Sequence, residues 1–391
     1  MAGGAGVHDV VVAGGSVAGA ASALRLARAG ARVLVLDRAL FPRRKACGEG
    51  VFPAGVGELE RLGVVDAIAG RVWPLRRLRF EVDGASCSAA LSPSSRTGLG
   101  IPRTVLDGAL LEAAGAAGVE VVTGCRVIGL MPGPRGFGGM VDAEGRKFEG
   151  RVLVAADGMG SSLRRMAGLS ARPRRRRRYG VSAHFQTPRD PGDAITVHFR
   201  KSHEVYVTPV GDREANVAVL LDGTEARSLG GDLTSAFLGY VSGLPEVEDA
   251  SLADAPRVAG PFPAEPGAAW RHNLVLAGDA AGFHDAVTGE GISLALRASR
   301  LVASAVESYL ETGNSSAFQH YERGWRDLRR PSTLLADLIL FLRRRPALAR
   351  WAIRNLAARP GVFSRLVALN GGELGFRELR PRDLAGLLFG L

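Results

Sequence analysis

The 391-residue sequence predicts a mixed α/β chain with a nucleotide-binding core, on three observations. Residues 7–13 form a β-branched apolar run that stops at Gly14-Gly15-Ser16-Val17-Ala18-Gly19 and passes into a helical pattern. Residues 32–36 form a second apolar run, ending in Asp37. Residues 274–277 form a third, ending in Gly278-Asp279 and a glycine-rich loop that turns helical at Ile292. Short apolar runs closed by glycine read as buried strands, and strands alternating with helical stretches imply a parallel sheet.

Composition sets the bounds. The chain is 46% hydrophobic and 23% charged, which suits a globular protein with a large core. Three cysteines (Cys47, Cys87, Cys125) without paired spacing exclude a disulfide framework and a zinc site, and fit a reducing cytoplasm. No metal-ligand histidine pair, signal peptide or bilayer-spanning run is expected. The net charge of +11 comes largely from arginines in 172–178 and 323–354. No nucleic-acid module accompanies them, so no nucleic-acid partner is expected and a solvated basic face is the better reading.

In chain order, the first strand, glycine loop, helix to about residue 29 and second strand make a dinucleotide-binding unit. The helix start receives a pyrophosphate, and Asp37 receives a ribose hydroxyl pair. Ser16 stands where the usual fingerprint has its middle glycine. The loop 41–50 carries basic side chains, Lys45 among them, suited to a phosphate-bearing cofactor. It also carries Gly48 and Gly50 beside Cys47, which reads equally as a flavin-proximal thiol or a small buried residue. Residues 54–70 read as helix and 76–91 as strands of a second lobe. Arg103 opens a helix that runs to residue 118. Residues 119–122 and 126–130 are strands, 131–139 a Gly/Pro loop, and 151–155 a buried strand ending before Asp157-Gly158. The arginine tract 172–178 reads as an exposed linker. Residues 194–199, 204–210 and 216–221 read as short strands of an antiparallel sheet, a wall for a substrate pocket.

The third unit is the most telling. A strand delivers Asp279, and the loop with Gly282, Gly289 and Gly291 lets backbone approach a ligand. A helix N-terminus then points its free N–H groups at that ligand. Asp279 can accept from sugar-like hydroxyls, and the helix start favours the negative charge of a reduced flavin. Beyond it the chain is helical. Leu334, Leu335, Leu338, Ile339, Phe341 and Leu342 lie among arginines on a face that either docks on the core or meets a membrane surface.

These pieces, in this order, resemble the p-hydroxybenzoate-hydroxylase-like FAD superfamily. It includes the aromatic monooxygenases, the geranylgeranyl reductases and the flavin-dependent halogenases. The resemblance implies a Rossmann-type FAD-binding domain (1–75, 100–180 and 260–330), an inserted antiparallel β-sheet substrate domain (76–99 and 181–259) and a C-terminal helical region (331–391). It implies that Gly14, Ser16, Ala18 and Gly19 lie at the pyrophosphate, with Asp37 and Arg38 at the adenosine ribose and the Val127 backbone at the adenine. Lys45, Cys47, Gly48 and Gly50 approach the flavin, and Arg103 braces the cofactor. Asp279 meets the ribityl or pyrophosphate region, and Gly289, Gly291 and Ile292 meet the flavin ring. Asp157-Gly158 matches a motif associated with FAD and with transient NADH or NADPH contact.

Departures narrow the activity. Ala286 stands where the loop usually has proline. The segment 204–209 lacks the tryptophans of halogenases, which disfavours chlorination. The run from Lys45 to Gly50 and the ending Gly289-Glu290-Gly291-Ile292 look most like the geranylgeranyl-reductase branch, and also occur in natural-product hydroxylases. The leading expectation is an NAD(P)H- and O₂-dependent monooxygenase, a hydroxylase or epoxidase acting on a hydrophobic aromatic or natural-product substrate through a flavin C4a-hydroperoxide. The alternative is a flavin-dependent reductase of an isoprenoid double bond. His284 and Asp285 are the proton-handling candidates, and His203 and Tyr206 the candidates for the substrate side.

Overall fold

The computed structural model describes residues 7–170, 177–262 and 264–378. β1 (His8–Ala13), α1 (Val17–Arg28) and β2 (Val33–Leu36) form the first unit. β3 (Gly50–Val51), α2 (Pro53–Arg61), α3 (Val65–Ile68), β4 (Trp73–Leu75), β5 (Arg77–Val82), β6 (Ala85–Ala90) and β7 (Gly98–Gly100) follow. Next come α4 (Arg103–Ala116), β8 (Glu120–Val122), β9 (Val127–Gly133), β10 (Gly136–Asp142), β11 (Lys147–Ala155) and α5 (Ser162–Met166). The middle of the chain gives β12 (Arg178–Gln186), β13 (Ala194–Phe199), β14 (His203–Gly211), β15 (Glu214–Asp222), α6 (Leu233–Val241), β16 (Ser251–Leu252) and β17 (Arg257–Phe262). β18 (Trp270–Arg271), β19 (Leu274–Leu276) and helices α7 (Gly291–Thr312), α8 (Ser316–Arg343), α9 (Pro346–Ala357) and α10 (Pro360–Gly371) complete it.

The core sheet runs β18-β19-β11-β1-β2-β8, with the β9–β10 hairpin joined to β11. β19, β11, β1, β2 and β8 are mutually parallel, Val12 pairing with both Val154 and Val35. Val10, Val11 and Val12 are fully buried, as expected of a strand covered on both faces. α1 packs against α4 and α7 over this sheet. The Rossmann-type core is therefore present as expected.

The second sheet runs β16-β12-β15-β14-β13-β5-β6 with β17 on β12. It is antiparallel except at β5–β13, which pair in parallel with Arg79 opposite Thr196. That exception corrects the expectation of a wholly antiparallel sheet. The two strands come from distant segments separated by much of the core, so no hairpin dictates their direction. A short sheet, β3-β7-β4, joins the two lobes. There Gly100 comes so close that a Cβ would lie 1.9 Å from the Pro209 carbonyl oxygen.

Three local expectations change. Residues 131–139 are not a loop, because β9 and β10 continue through them as a hairpin that buries Met140. The helix expected at 54–70 is two helices, broken where Gly63 takes φ +63°. Of the arginine tract, 172–176 lies outside the described residues. Arg178 is not exposed linker but the buried start of β12.

α8 docks on the core through Phe318, Tyr321 and Trp325. Tyr321 donates its hydroxyl to the Leu276 carbonyl (2.5 Å), and Trp325 its indole N–H to that of Ala281 (2.9 Å). α9 and α10, packed against α8, cover the β5–β6 edge of the second sheet. The C-terminal helices thus close the space between the lobes.

Candidate cofactor and substrate site

The phosphate end is built by steric necessity. Gly14 has φ +108°, and a Cβ there would lie 2.2 Å from the Ala156 carbonyl oxygen. A Cβ on Gly19 would lie 1.8 Å from the Gly14 carbonyl oxygen. Only glycine lets β1, α1 and β11 meet this closely. Ser16 precedes α1 without capping it, and the first turn of α1 holds no acidic residue. Its amides are left for an anion.

Ser16 turns sideways instead. It donates to Asp107 Oδ2 (3.2 Å) and accepts from Arg103 Nη2 (2.5 Å). Arg103 also forks onto both oxygens of Asp107 at 2.9 Å. Burial opposes the charge on Arg103, but Asp107 and the neighbouring Cys47 raise its pKa above the ordinary value. Arg103 therefore braces the glycine loop against α4. Asp37 accepts from the Gly15 N–H (2.7 Å) and the Ala39 N–H (2.8 Å), keeping one further lone pair per oxygen. Arg38 is exposed beside it. Val127 begins β9, two residues after Cys125, whose N–H donates to the Asp37 carbonyl (2.8 Å).

A cavity of about 1230 Å³, counted out to its opening, continues from this end between the lobes. Ser16, Ala18, Lys45, Cys47, Gly48 and Gly50 line one side. Gly158, Asp279, Gly289, Gly291 and Ile292 line the other. Lys45 forms no ion pair among the described residues. Burial and then Arg103 lower its pKa, while Asp279 and Asp107 oppose that shift. Gly278, at φ +56°, lies against Ala18, where a Cβ would come within 2.7 Å. Gly48 has open space where its Cβ would be. The first-turn amides of α7 point into the cavity with no side-chain cap.

These features fit FAD. The uncapped α1 and Lys45 suit a pyrophosphate, Asp279 suits hydroxyls, and the glycine-lined slot ending at α7 suits a flat ring. Of the residue pair expected to touch cofactor, Gly158 faces the cavity but Asp157 does not. Asp157 accepts from Ser161 Oγ (2.5 Å) and the Ser162 N–H (2.8 Å), which ties down the start of α5.

Of the two proton-handling candidates, His284 sits outside the main cavity and Asp285 lines it. His284 bridges Glu265 (3.2 Å) and Asp337 of α8 (2.9 Å), outside the main cavity. Asp285 lines the cavity, but its Oδ1 is held by Arg178 Nη1 (2.5 Å) and the Val287 N–H (3.0 Å). It is an anchor of the loop. His203 contacts Ser202 (3.1 Å) and the Tyr240 carbonyl (3.2 Å) beside α6, away from both large cavities. Two partners, not the cavity, therefore claim each of these side chains. Tyr206 is where the substrate side was expected. It donates to the Val287 carbonyl (2.7 Å) and lines both cavities.

The second cavity, about 1720 Å³ to its mouth, was not legible in the sequence. Gly48, Gly50, Tyr206 and Gly289 line both cavities, so the two meet there. Its walls are aliphatic and aromatic: Phe80, Ile195 and Val197 from the second sheet, and Ile339, Ile353 and Phe363 from the C-terminal helices. Arg200, Lys201 and Arg343 add charge to its lining.

Fold and site together define a flavoprotein with a deep apolar cavity beside the cofactor slot. The chain belongs to the FAD binding domain family, whose model matches residues 7–236, and it is an FAD-dependent oxidoreductase. It is 32% identical over 363 residues to a menaquinone reductase of Mycolicibacterium smegmatis, covering 84% of each chain. It is 26% identical over 360 residues to a 1H-pyrrole-2-carbonyl-[peptidyl-carrier protein] chlorinase of Pseudomonas fluorescens, covering 81% of this chain and 79% of that one. Among solved structures, a flavoprotein/dehydrogenase of Cytophaga hutchinsonii superposes with a TM-score of 0.80 at 18% identity over 93% of both chains, a likeness of fold.

Proposed function

We propose that this chain is an FAD-dependent reductase of a carbon–carbon double bond on a polyprenyl chain, such as the side chain of a lipid quinone. The observation that carries the reading is the apolar chamber of about 1720 Å³ meeting the flavin slot at Gly48, Gly50, Tyr206 and Gly289. A long aliphatic chain gains most from such a lining, at about 25 cal/mol per Å² removed from water. The similarity to menaquinone reductases supports the same substrate class.

When bound, reduced FAD supplies a hydride, with NADH or NADPH as the source of electrons. The chain's own part is to bind and to exclude water. Ile195, Ile353 and Phe363 hold the prenyl chain, and Tyr206 ties the second sheet to the flavin loop through Val287. A proton completes the saturation, so one C=C bond becomes a CH–CH bond with two hydrogens gained.

The same reading draws the substrate from a lipid phase. Leu334, Leu338 and Phe341 on one face of α8, and Trp351 on α9, are exposed. Leu338 also lines the chamber, which supports a chamber mouth at this patch. The exposed Arg345 and Arg354 suit an anionic surface, with the Arg345 guanidinium 3.8 Å from the Phe341 ring centroid. No helix among the described residues is long and apolar enough to cross a membrane.

The test is anaerobic. FAD-loaded protein is incubated with NADH or NADPH and a short-chain menaquinone, and the products are weighed by mass spectrometry. The expected product forms without O₂ and stays two hydrogens heavier after any quinol is reoxidised to the quinone. A strict need for O₂ and a product one oxygen heavier would replace this reading with the monooxygenase one.

A further inference from the structure

Three titratable side chains form a line across the wall of the flavin cavity. Glu49 stands in that wall, only 2% exposed and in left-handed backbone with φ 58°. Its Oε1 accepts from the Arg103 backbone N–H (2.7 Å). Its Oε2 accepts from Asn216 Nδ2 (3.2 Å) and faces His184 Nε2 at 2.6 Å. His184 lies on β12 and is 7% exposed. Its other ring nitrogen, Nδ1, lies 3.2 Å from Asp254 Oδ2 and 3.1 Å from Arg44 Nη1. Asp254 is ion-paired with Arg44 and keeps 12% of its side chain exposed, against 39% for Arg44. The outer end of the line therefore meets solvent.

Fastening the 47–50 loop explains Glu49 in part, but not the second carboxylate on the ring. A neutral imidazole has one N–H and can satisfy one carboxylate only. His184 has a carboxylate at each nitrogen, and at Nδ1 it has a donor, Arg44, as well as an acceptor. Nδ1 can therefore carry a proton toward Asp254, or offer its lone pair to Arg44. A ring with both states open can release a proton at one nitrogen and regain it at the other.

We propose that Glu49, His184 and Asp254 relay protons between solvent and the flavin cavity. In one transfer the neutral ring, with its proton on Nε2, takes a second proton at Nδ1 from the Asp254 carboxyl; the Nε2–H bond of the imidazolium so formed then breaks and an O–H bond forms on Glu49 Oε2. Asp254 is recharged from water at the surface, and the ring, left neutral with its proton on Nδ1, flips to restore the Nε2–H form. One proton moves inward and no electron moves. Two-electron reduction of a bound flavin takes up at least one proton, and with the cavity between the lobes filled by cofactor this line offers a path for it. The inference rests on FAD binding and not on the choice of substrate.

The experiment uses FAD-loaded full-length protein and two equivalents of reduced methyl viologen, which carries electrons without protons. Stopped-flow absorbance follows flavin bleaching, and an indicator dye in unbuffered solution follows proton uptake. In the unaltered protein uptake should keep pace with bleaching. His184→Gln keeps a hydrogen bond to Glu49 but cannot pass a proton, and should delay uptake at least about tenfold behind bleaching. Uptake as fast as in the unaltered protein would overturn the relay. Should His184→Gln fail to retain FAD, Asp254→Asn decides at the solvent end. A delay there supports the relay, and undelayed uptake overturns it.

Discussion

Arg178 of the second sheet grips Asp285 of the flavin loop at 2.5 Å, with 5% and 4% of the two side chains exposed. Arg178 also pairs with the buried Glu204. Arg343 of α8 reaches Glu204 (3.1 Å) and Asp222 (3.1 Å). One buried ion cluster thus ties the substrate sheet, the flavin loop and the C-terminal helices together. Burial pushes the Glu204 carboxyl up to about 6, against the pull of Arg178 and Arg343. Replacing Arg178 with Met strands the buried Asp285 and leaves the buried Glu204 with Arg343 alone. It should cost about 3–5 kcal/mol in denaturant unfolding and weaken FAD binding. A loss below about 1 kcal/mol would show that the cluster does not hold the lobes.

Glu290 should make stability depend on pH. It precedes α7 and is 3% exposed. Ser332, which faces it, gives its hydroxyl proton to the Arg329 carbonyl (3.2 Å). Burial raises the Glu290 carboxyl to about 7, with Ser332 and Arg297 opposing. The folded protein therefore holds this proton more tightly than the unfolded chain, whose ordinary value is 4.5. The stabilising difference is present below that value and is lost as pH rises toward 7, to a total of about 3 kcal/mol. Glu290→Gln should flatten that decline. Thermal melts of the two apoproteins at steps between pH 4 and 8, about the range the two pKa values span, measure it; parallel curves would reject the assignment.

Gly48 separates folding from cofactor binding. A Cβ there meets nothing within 4 Å, so Gly48→Val should fold with little change in melting temperature. Its branched side chain would occupy the flavin slot and should weaken FAD affinity at least about tenfold, roughly 1.4 kcal/mol. Flavin fluorescence on titration reads the affinity. Unchanged FAD binding would place the ring elsewhere.

Ala352 tests the chamber. It lines the apolar cavity from α9. Ala352→Trp should lower kcat/KM for a long prenyl substrate by about tenfold or more, while a quinone with the shortest prenyl chain is spared. Equal losses for both would argue that the chain lies outside this cavity.

Much of the cofactor half was legible because its signals are local. Gly14 and Gly278 follow strands and Gly19 lies in the first turn of α1, all where a Cβ would strike neighbouring atoms, and such positions announce themselves in a short stretch of sequence. Local reading also singled out Tyr206, on a β-branched run, which the structure places in the lining of both cavities. It placed His284 and Asp285 near the flavin loop, but could not show that Glu265, Asp337 and Arg178 claim their side chains. The β9–β10 hairpin was hidden because Gly and Pro in 131–139 signal a turn whether or not strands flank it.

The sequence by itself determined the Rossmann-type core, the FAD family and the order of the cofactor-binding segments. These rest on backbone conformations and strand–loop–helix spacings encoded within a few residues of each other. Only the tertiary structure decided the apolar chamber, the Arg178 cluster and the line from Asp254 through His184 to Glu49. Each joins residues from separate lobes, 135 positions apart in the case of Glu49 and His184. Their chemistry depends on which partners burial leaves within hydrogen-bonding reach, and no local pattern carries that.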